Sequence, residues 1–312
     1  MKLVLGDIVN KHKDIPCVVA LHGPSLTPFI HRVEELQKNK GFLRISVNEW
    51  YDFFSTKPDY WVVSNTEFTI KNSMVPNHTW DEYFQWPKNI FNEMGIPLIF
   101  NETADLTETE FIENYLKCDY LPYDAKHFKN KDCRSILNSF RSYYEKNSNF
   151  NFLEYGNNDE MWKPLTLNGA RCHPSYAKFA SAWARDNKCC HKIDHTRRTI
   201  QEQLQAHTGN DSHMGPGVSV AFHALATAVL MGCNPIYVAG LDLEMEKGYA
   251  QTRTNRKQVI NQGAMEHWTK VFNNVIESDL RILRESAEKL GIDIINLNKE
   301  SWFDTLKIGN LN

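Results

Sequence analysis

The sequence predicts an α/β protein, a Rossmann-like, doubly wound, mostly parallel sheet with a helical insertion or lid. Three observations predict it. Short continuous apolar runs recur through the N-terminal part, as strands buried on both faces do. The segment Gly217–Glu244 reads as a small, apolar helix ended by Gly232, then a buried strand over Pro235–Ala239 and a turn, Gly240-Leu241-Asp242. Between these regions lies a polar, aromatic stretch that breaks the alternation.

Cys17–Leu21 is the first strand, ending in His22-Gly23-Pro24-Ser25-Leu26. A helix starts at once: Ser25 or Thr27 can cap it, Pro28 suits a first turn, and Ile30, Val33 and Leu36 repeat at helical spacing. Phe42–Val47 is the second strand, ending at Asn48; Tyr60–Val63 is the third, ending at Ser64-Asn65; Ile96–Phe100 is the fourth. Strand–helix–strand alternation of this kind implies parallel pairing through right-handed crossovers. The C-terminal part repeats the logic with a helix over Val218–Met231, a strand over Ile236–Ala239, a long helix and a closing strand over Ile292–Leu297. The long helix carries Met265, Trp268, Phe272, Val275, Ile276, Leu280, Leu283, Ala287 and Leu290 on one face, with Gly291 as its stop. The domain organisation expected is therefore residues 1–100 and 216–312 as two halves of one nucleotide-binding domain, with 101–215 as an insertion or lid.

The 312 residues suffice for a sizeable core, and 42% hydrophobic residues argue against disorder. A net charge of −3 argues against a nucleic-acid binder or a polybasic membrane binder. Seven scattered cysteines fit a reducing compartment better than a disulfide framework. Met1–Lys13 lacks the apolar core of a leader, and no stretch approaches the ~20 apolar residues of a membrane span. A cytoplasmic protein is expected, with homo-oligomerisation left open.

Strand ends are where open α/β sheets bind ligands. Gly23, Pro24 and Ser25 lie where a glycine lets a ligand approach the backbone and a helix start offers N–H groups to phosphate. The bland alternative is an ordinary strand–helix turn. Asn48 and Asn65 can read a base or ribose edge, or simply shape turns. Asp242 and Glu244, past a buried strand, suit a ribose, a metal or an acceptor hydroxyl, or a helix cap. Tyr249, Arg253, Arg256 and Lys257 could steady a leaving phosphate, or form a solvated loop. His267 could be a general base or a partly exposed helix histidine. The cluster Cys172, His173, Cys189, Cys190, His191 and His195 lacks a C-x-x-C pair, so no metal site is expected from it. Walker A, G-x-G-x-x-G and G-x-S-x-G motifs are all absent.

His22-Gly23-Pro24-Ser25-Leu26 resembles the G-x-G-P-S-L nucleotide turn of bacterial lipooligosaccharide sialyltransferases. Arg44–Phe54 followed by Asp59–Asn65 is similar to the two strand ends by which that group holds CMP. Gly217-Val218-Ser219 through Gly232–Ile236, and Gly240-Leu241-Asp242, look still more like a sister group, the motility-associated factors and archaeal-type 6-hydroxymethylpterin diphosphokinases. The resemblance implies phosphate at the Gly23 turn, base or ribose near Asn48 and Asn65, and Gly217, Val218, Ser219 and Gly240 facing the ligand. It also implies that Tyr249 holds the CMP phosphate. Three positions depart from it: His22 replaces a glycine, Glu244 a second tyrosine, and Asn274 stands near the family's catalytic histidine, leaving His267 as a displaced candidate.

The expected function is a glycosyltransferase using a nucleotide-activated sugar, in particular a CMP-linked nonulosonic acid. His267 or Asp242 would be its base, with a glycan or protein as acceptor and no required cofactor. The alternatives are a diphosphokinase-like enzyme, whose ATP chemistry needs Mg²⁺ held by Asp242 and Glu244, and a non-catalytic nucleotide-binding accessory protein.

Overall fold

The structure is a computed structural model and describes residues 3, 5–63, 89–102, 116–124, 200–210, 219–243, 250 and 276–311. Its strands are β1 (Cys17–Ala20), β2 (Leu43–Val47), β3 (Tyr60–Val63), β4 (Leu98–Glu102), β5 (Tyr120–Asp124), β6 (Ile236–Ala239), β7 (Ile294–Asn296) and β8 (Lys307–Ile308). They form one sheet in the order β5-β4-β3-β2-β1-β6-β7-β8, and every neighbouring pair is parallel. The chain winds outward from β1 to β5, then returns to the other side of β1 for β6. The strand order therefore reverses between β1 and β6, which is the topological switch point of a doubly wound sheet.

Helices cover both faces: α1 (Leu5–Ile8), α2 (Ile30–Lys40), α3 (Ile90–Met94), α4 (Ile200–Thr208), α5 (Val220–Leu230) and α6 (Glu277–Lys289). One core layer joins Val19, Ile45, Val62 and Val238 to α1, α4, α5 and α6. The other joins Val18, Trp61, Val63 and Phe100 to Leu26, Val33, Ile90 and Phe91. Residues Ala221 to Leu230 of α5 are all buried. A helix buried on every side belongs in a core, here with only His223 and Thr227 polar among the buried residues, and each large aliphatic side chain buried there stabilises by roughly 1.5–3 kcal/mol.

The second layer also contains a cation. Arg44, on β2, is fully buried; its Nη1 donates to Thr56 Oγ1 at 3.1 Å, its Nη2 to the Thr56 carbonyl, and its guanidinium lies 4.4 Å from the Phe54 ring centroid. Burial pulls its pKa down to about 10, against the opposing pull of Glu34 and Asp59. Glu34 of α2 ties the same loop down. Its Oε1 accepts from the N–H and hydroxyl of both Ser55 and Thr56 at 2.6–3.0 Å. Burial would raise the Glu34 pKa, but these four donors outweigh it and the net shift is downward.

Each strand that the sequence predicts is present. The main difference lies in the stretch 101–215. There β4 runs on to Glu102, β5 extends the sheet, and α4 buries Ile200 and Leu204 in the first core layer. β5 pairs with β4 throughout, and α4 packs on the same core layer as α5. They hide in the sequence because β5, Tyr-Leu-Pro-Tyr-Asp, is an edge strand with little apolar signature. The two-residue β8 is too short to read at all. The helix after β1 also differs: a 3₁₀ segment, Pro24–Phe29, precedes α2, and neither Ser25 nor Thr27 caps it, Gly23 holding the cap position. Of the long C-terminal helix, Glu277–Lys289 is seen as predicted, with Leu280, Leu283 and Ala287 buried; Met265, Trp268, Phe272 and Val275 lie outside the described residues. Among the described residues no helix is long and apolar enough to cross a membrane. Cys17, Cys118 and Cys233 are buried free thiols, and the Cys172–His195 cluster lies outside the described residues.

Candidate functional site

At the switch point β1 and β6 stay paired beyond their ends. Leu21 N donates to Ala239 O at 2.8 Å and Gly23 N to Gly240 O at 3.0 Å. The closeness of the two chains dictates both glycines. Gly240 has φ 81°, and a Cβ there would lie 2.9 Å from the Leu21 carbonyl. A Cβ on Gly23 would lie 2.0 Å from Asp242 Oδ2 and 2.6 Å from Gly240 O, an overlap that no rotamer relieves.

Asp242 occupies the centre of this junction and is only 5% exposed. Its Oδ2 accepts from both Ser25 N (3.1 Å) and Ser25 Oγ (2.9 Å), and its Oδ1 accepts from Asn298 Nδ2 (2.9 Å). Its main-chain carbonyl accepts from Trp302 Nε1 at 3.2 Å. A carboxylate from the β6 loop thus caps the helical segment that begins at Pro24, where the free N–H groups of a helix start favour negative charge. It also links the ends of β1, β6 and β7. Asn298 is set in turn by Asn296, whose Oδ1 accepts from Asn298 N at 3.1 Å.

On the other side of β1, His22 reaches the end of β2. Its Nε2 lies 2.9 Å from Val47 O, its Nδ1 4.0 Å from Glu49 Oε2, and its ring packs on Phe53 with centroids 4.7 Å apart. With Nε2 donating to the carbonyl, Glu49 faces the second ring nitrogen. Asn48 takes a left-handed conformation, φ 37°, which asparagine tolerates. Its N donates to Val62 O at 3.0 Å and its carbonyl accepts from Trp61 Nε1 at 2.8 Å. The backbone is pinned on both sides, while no described residue bonds the side-chain amide. The ends of β7, β6, β1 and β2 are thereby tied into one continuous floor.

Comparison with known proteins adds little to this picture. No family model matches the chain, and no curated protein matches it. Among solved structures, it is similar to the sialyltransferase CstII from Campylobacter jejuni in complex with cytidine-5′-monophosphate, at 11% identity and TM-score 0.36, over 96% of this chain and 86% of that one. It is similar to the same enzyme with the substrate analogue CMP-3FNeuAc at 11% identity and TM-score 0.34, over 95% and 86%. An α-2,3-sialyltransferase from Campylobacter jejuni in apo form is similar at 10% identity and TM-score 0.34, over 95% and 83%. With identities and TM-scores this low, the chemistry below rests on this chain's own residues.

Of the residues that the sequence singles out, Gly23, Pro24, Ser25, Gly240 and Asp242 meet at the switch point, and Asn48 stands at the neighbouring strand end. Ser219 caps α5, its Oγ accepting from Ala221 N at 3.1 Å. Asn65, Gly217, Val218, Tyr249 and His267 lie outside the described residues, as do Glu244, Arg253, Arg256 and Lys257. The Ser25 N–H, expected to address phosphate, donates to Asp242 here. Sequence reasoning misses Glu49, Asn298 and Trp302. Asn298 had a signal, because it follows a strand as Asn48 does. Trp302 had none, since only the fold brings it to Asp242.

Proposed function

We propose that the chain is a glycosyltransferase using a nucleotide-activated sugar, with a CMP-linked nonulosonic acid as the donor its motifs favour. The observation that carries this reading is the convergence of Gly23, Ser25 and Asp242 at the β1/β6 switch point, with Asn48 at the neighbouring strand end. Open α/β sheets bind nucleotides in this place, and the motifs at these positions resemble a CMP-binding turn and strand end.

In this reading Asn48 addresses base or ribose, joined by Asn65. Tyr249 and the arginines after it hold the phosphate. The acceptor oxygen attacks the anomeric carbon, the bond to the phosphate oxygen breaks, and CMP leaves with the electron pair. The acceptor's proton passes to a base. Asp242 is poorly suited to that task, because both of its carboxylate oxygens are already engaged, Oδ2 by Ser25 and Oδ1 by Asn298. It acts as a positioning residue that sets the Gly23 turn, and His267 is the base. The same hydrogen bonds disfavour the diphosphokinase reading, in which Asp242 would give its oxygens to Mg²⁺.

Isothermal titration tests the proposal. CMP should bind without added divalent cation, and Asn48→Ala should weaken CMP more than inorganic phosphate. Mg²⁺-dependent ATP binding with none for CMP would transfer the assignment to the diphosphokinase. CMP binding with neither transfer nor hydrolysis of a CMP-sugar would make the chain an accessory protein.

A further inference from the structure

We propose that His22 is a positioning residue for the nucleotide: it fixes the spacing between the Gly23 turn and Asn48, so that one ligand can reach both at once. The inference rests on the glycosyltransferase reading, in which phosphate lies at the turn and base or ribose at Asn48. The register between β1 and β2 runs as far as Ala20 and Ser46. Past it, the main-chain donors Leu21 N and Gly23 N turn toward β6 and bond Ala239 O and Gly240 O. The side chain of His22 goes the other way. Its Nε2 lies 2.9 Å from Val47 O and its Nδ1 4.0 Å from Glu49 Oε2, so it touches the residues on either side of Asn48. Val47 O can only accept, so Nε2 carries the hydrogen of this bond.

The histidine is itself held. Its carbonyl accepts from Ala250 N at 2.8 Å, and its ring packs on Phe53; Ala250 and Phe53 are both buried in the second core layer. Asn48 is fixed from its far side through Val62 O and Trp61 Nε1. His22 is therefore a strut between two anchored points. A ligand with two recognition groups on one linker gains from the second contact only when the subsites stand at the span of that linker. CMP is such a ligand, with ribose between its phosphate and its base. Inorganic phosphate or cytidine occupies one subsite and is indifferent to the spacing. A residue that merely supports the fold would, on removal, weaken all three ligands alike. One that touches a single moiety would weaken CMP and that fragment. A strut weakens CMP alone.

The test uses the full chain as wild type, His22→Ala and His22→Gln. The amide nitrogen of glutamine lies as far along its side chain as Nε2 does in histidine, so His22→Gln keeps a donor for Val47 O. CMP affinity is read by titration calorimetry. Cytidine is followed by saturation-transfer NMR and inorganic phosphate by its phosphorus resonance. His22→Ala should weaken CMP by about tenfold or more, with cytidine and phosphate within about twofold of the wild type. His22→Gln should bind CMP within about threefold of the wild type. The proposal is overturned if His22→Ala binds CMP like the wild type, if cytidine or phosphate weakens as much as CMP, or if His22→Gln loses CMP as fully as His22→Ala. Each of those results leaves the glycosyltransferase reading standing. A wild type that binds no CMP overturns that reading, and the strut with it.

Discussion

The two ends of the β1–β6 pair are closed in different ways. At the start of the strands the closure is main chain to main chain. Asn10, His12 and Asp14 donate to the carbonyls of Leu230, Met231 and Gly232 at 2.8–2.9 Å, Asn234 N to Ile15 O at 3.0 Å, and Cys17 N to Pro235 O at 3.0 Å. At the far end two main-chain bonds, Leu21 N to Ala239 O and Gly23 N to Gly240 O, are joined by a side-chain junction in which one carboxylate, Asp242, accepts from Ser25 and Asn298. Main-chain closure tolerates most substitutions, because every residue but proline offers the same groups. Side-chain closure concentrates the dependence on a few residues, and it is the kind a polar ligand can compete with. The end that carries the side-chain junction is the end where doubly wound sheets place their ligands.

Substitutions can break or sharpen this contrast. Gly23→Val should have the largest effect, because its Cβ would sit 2.0 Å from Asp242 Oδ2; a loss of about 4 kcal/mol or more, seen as insolubility or a collapsed urea midpoint, is expected. Asp242→Ala comes next. It strands the donors of Ser25 and Asn298 and should cost about 3 kcal/mol in urea unfolding, with Asp242→Asn about half as costly. At the opposite end, Tyr60→Phe removes the hydrogen bond to His12 Nε2, 2.6 Å, and should cost only about 1 kcal/mol. Equal costs for Tyr60→Phe and Asp242→Ala would erase the distinction between the ends.

The smallest effect is a pH dependence. Burial first, and Lys11 second, hold the His12 pKa below its ordinary 6.5, with Asp59 pulling weakly the other way. The folded chain then binds this proton less readily than the unfolded chain. The stability it contributes is complete above 6.5 and is lost as pH falls through the lowered value. The decline in Tm from about pH 7.5 to about pH 5.5 should be slightly shallower in His12→Gln than in the wild type.

Much of the sheet is legible in the sequence because its central strands are buried on both faces. Val18 and Val19, or Trp61 and Val62, face opposite layers and are all apolar, so each run stands out from its surroundings. The edges are not legible for the converse reason. In β8 both Lys307 and Ile308 are exposed, and nothing in so short a segment marks a strand. The site is legible as a set of strand ends, and Gly23, Asn48 and Asp242 stand where their turns predict. Their partners are not, because Ser25 and Asp242, or Asp242 and Trp302, become neighbours only once β6 lies beside β1. The sequence reading gives Gly23 the task of admitting a phosphate. The structure gives it a nearer reason, the oxygen of Asp242.

The strand order has a consequence for how this chain is made. β1 is synthesised well before one of its two neighbours, β6, which follows only after β2, β3, β4 and β5, with Cys17 pairing to Ile236. Until then a fully apolar strand, Cys17-Val18-Val19-Ala20, waits with one row of main-chain groups unsatisfied, and the layer that α5 will cover is bare. A nascent chain halted before β6 is therefore sticky, and synthesis of this protein should depend on chaperones that shield that edge.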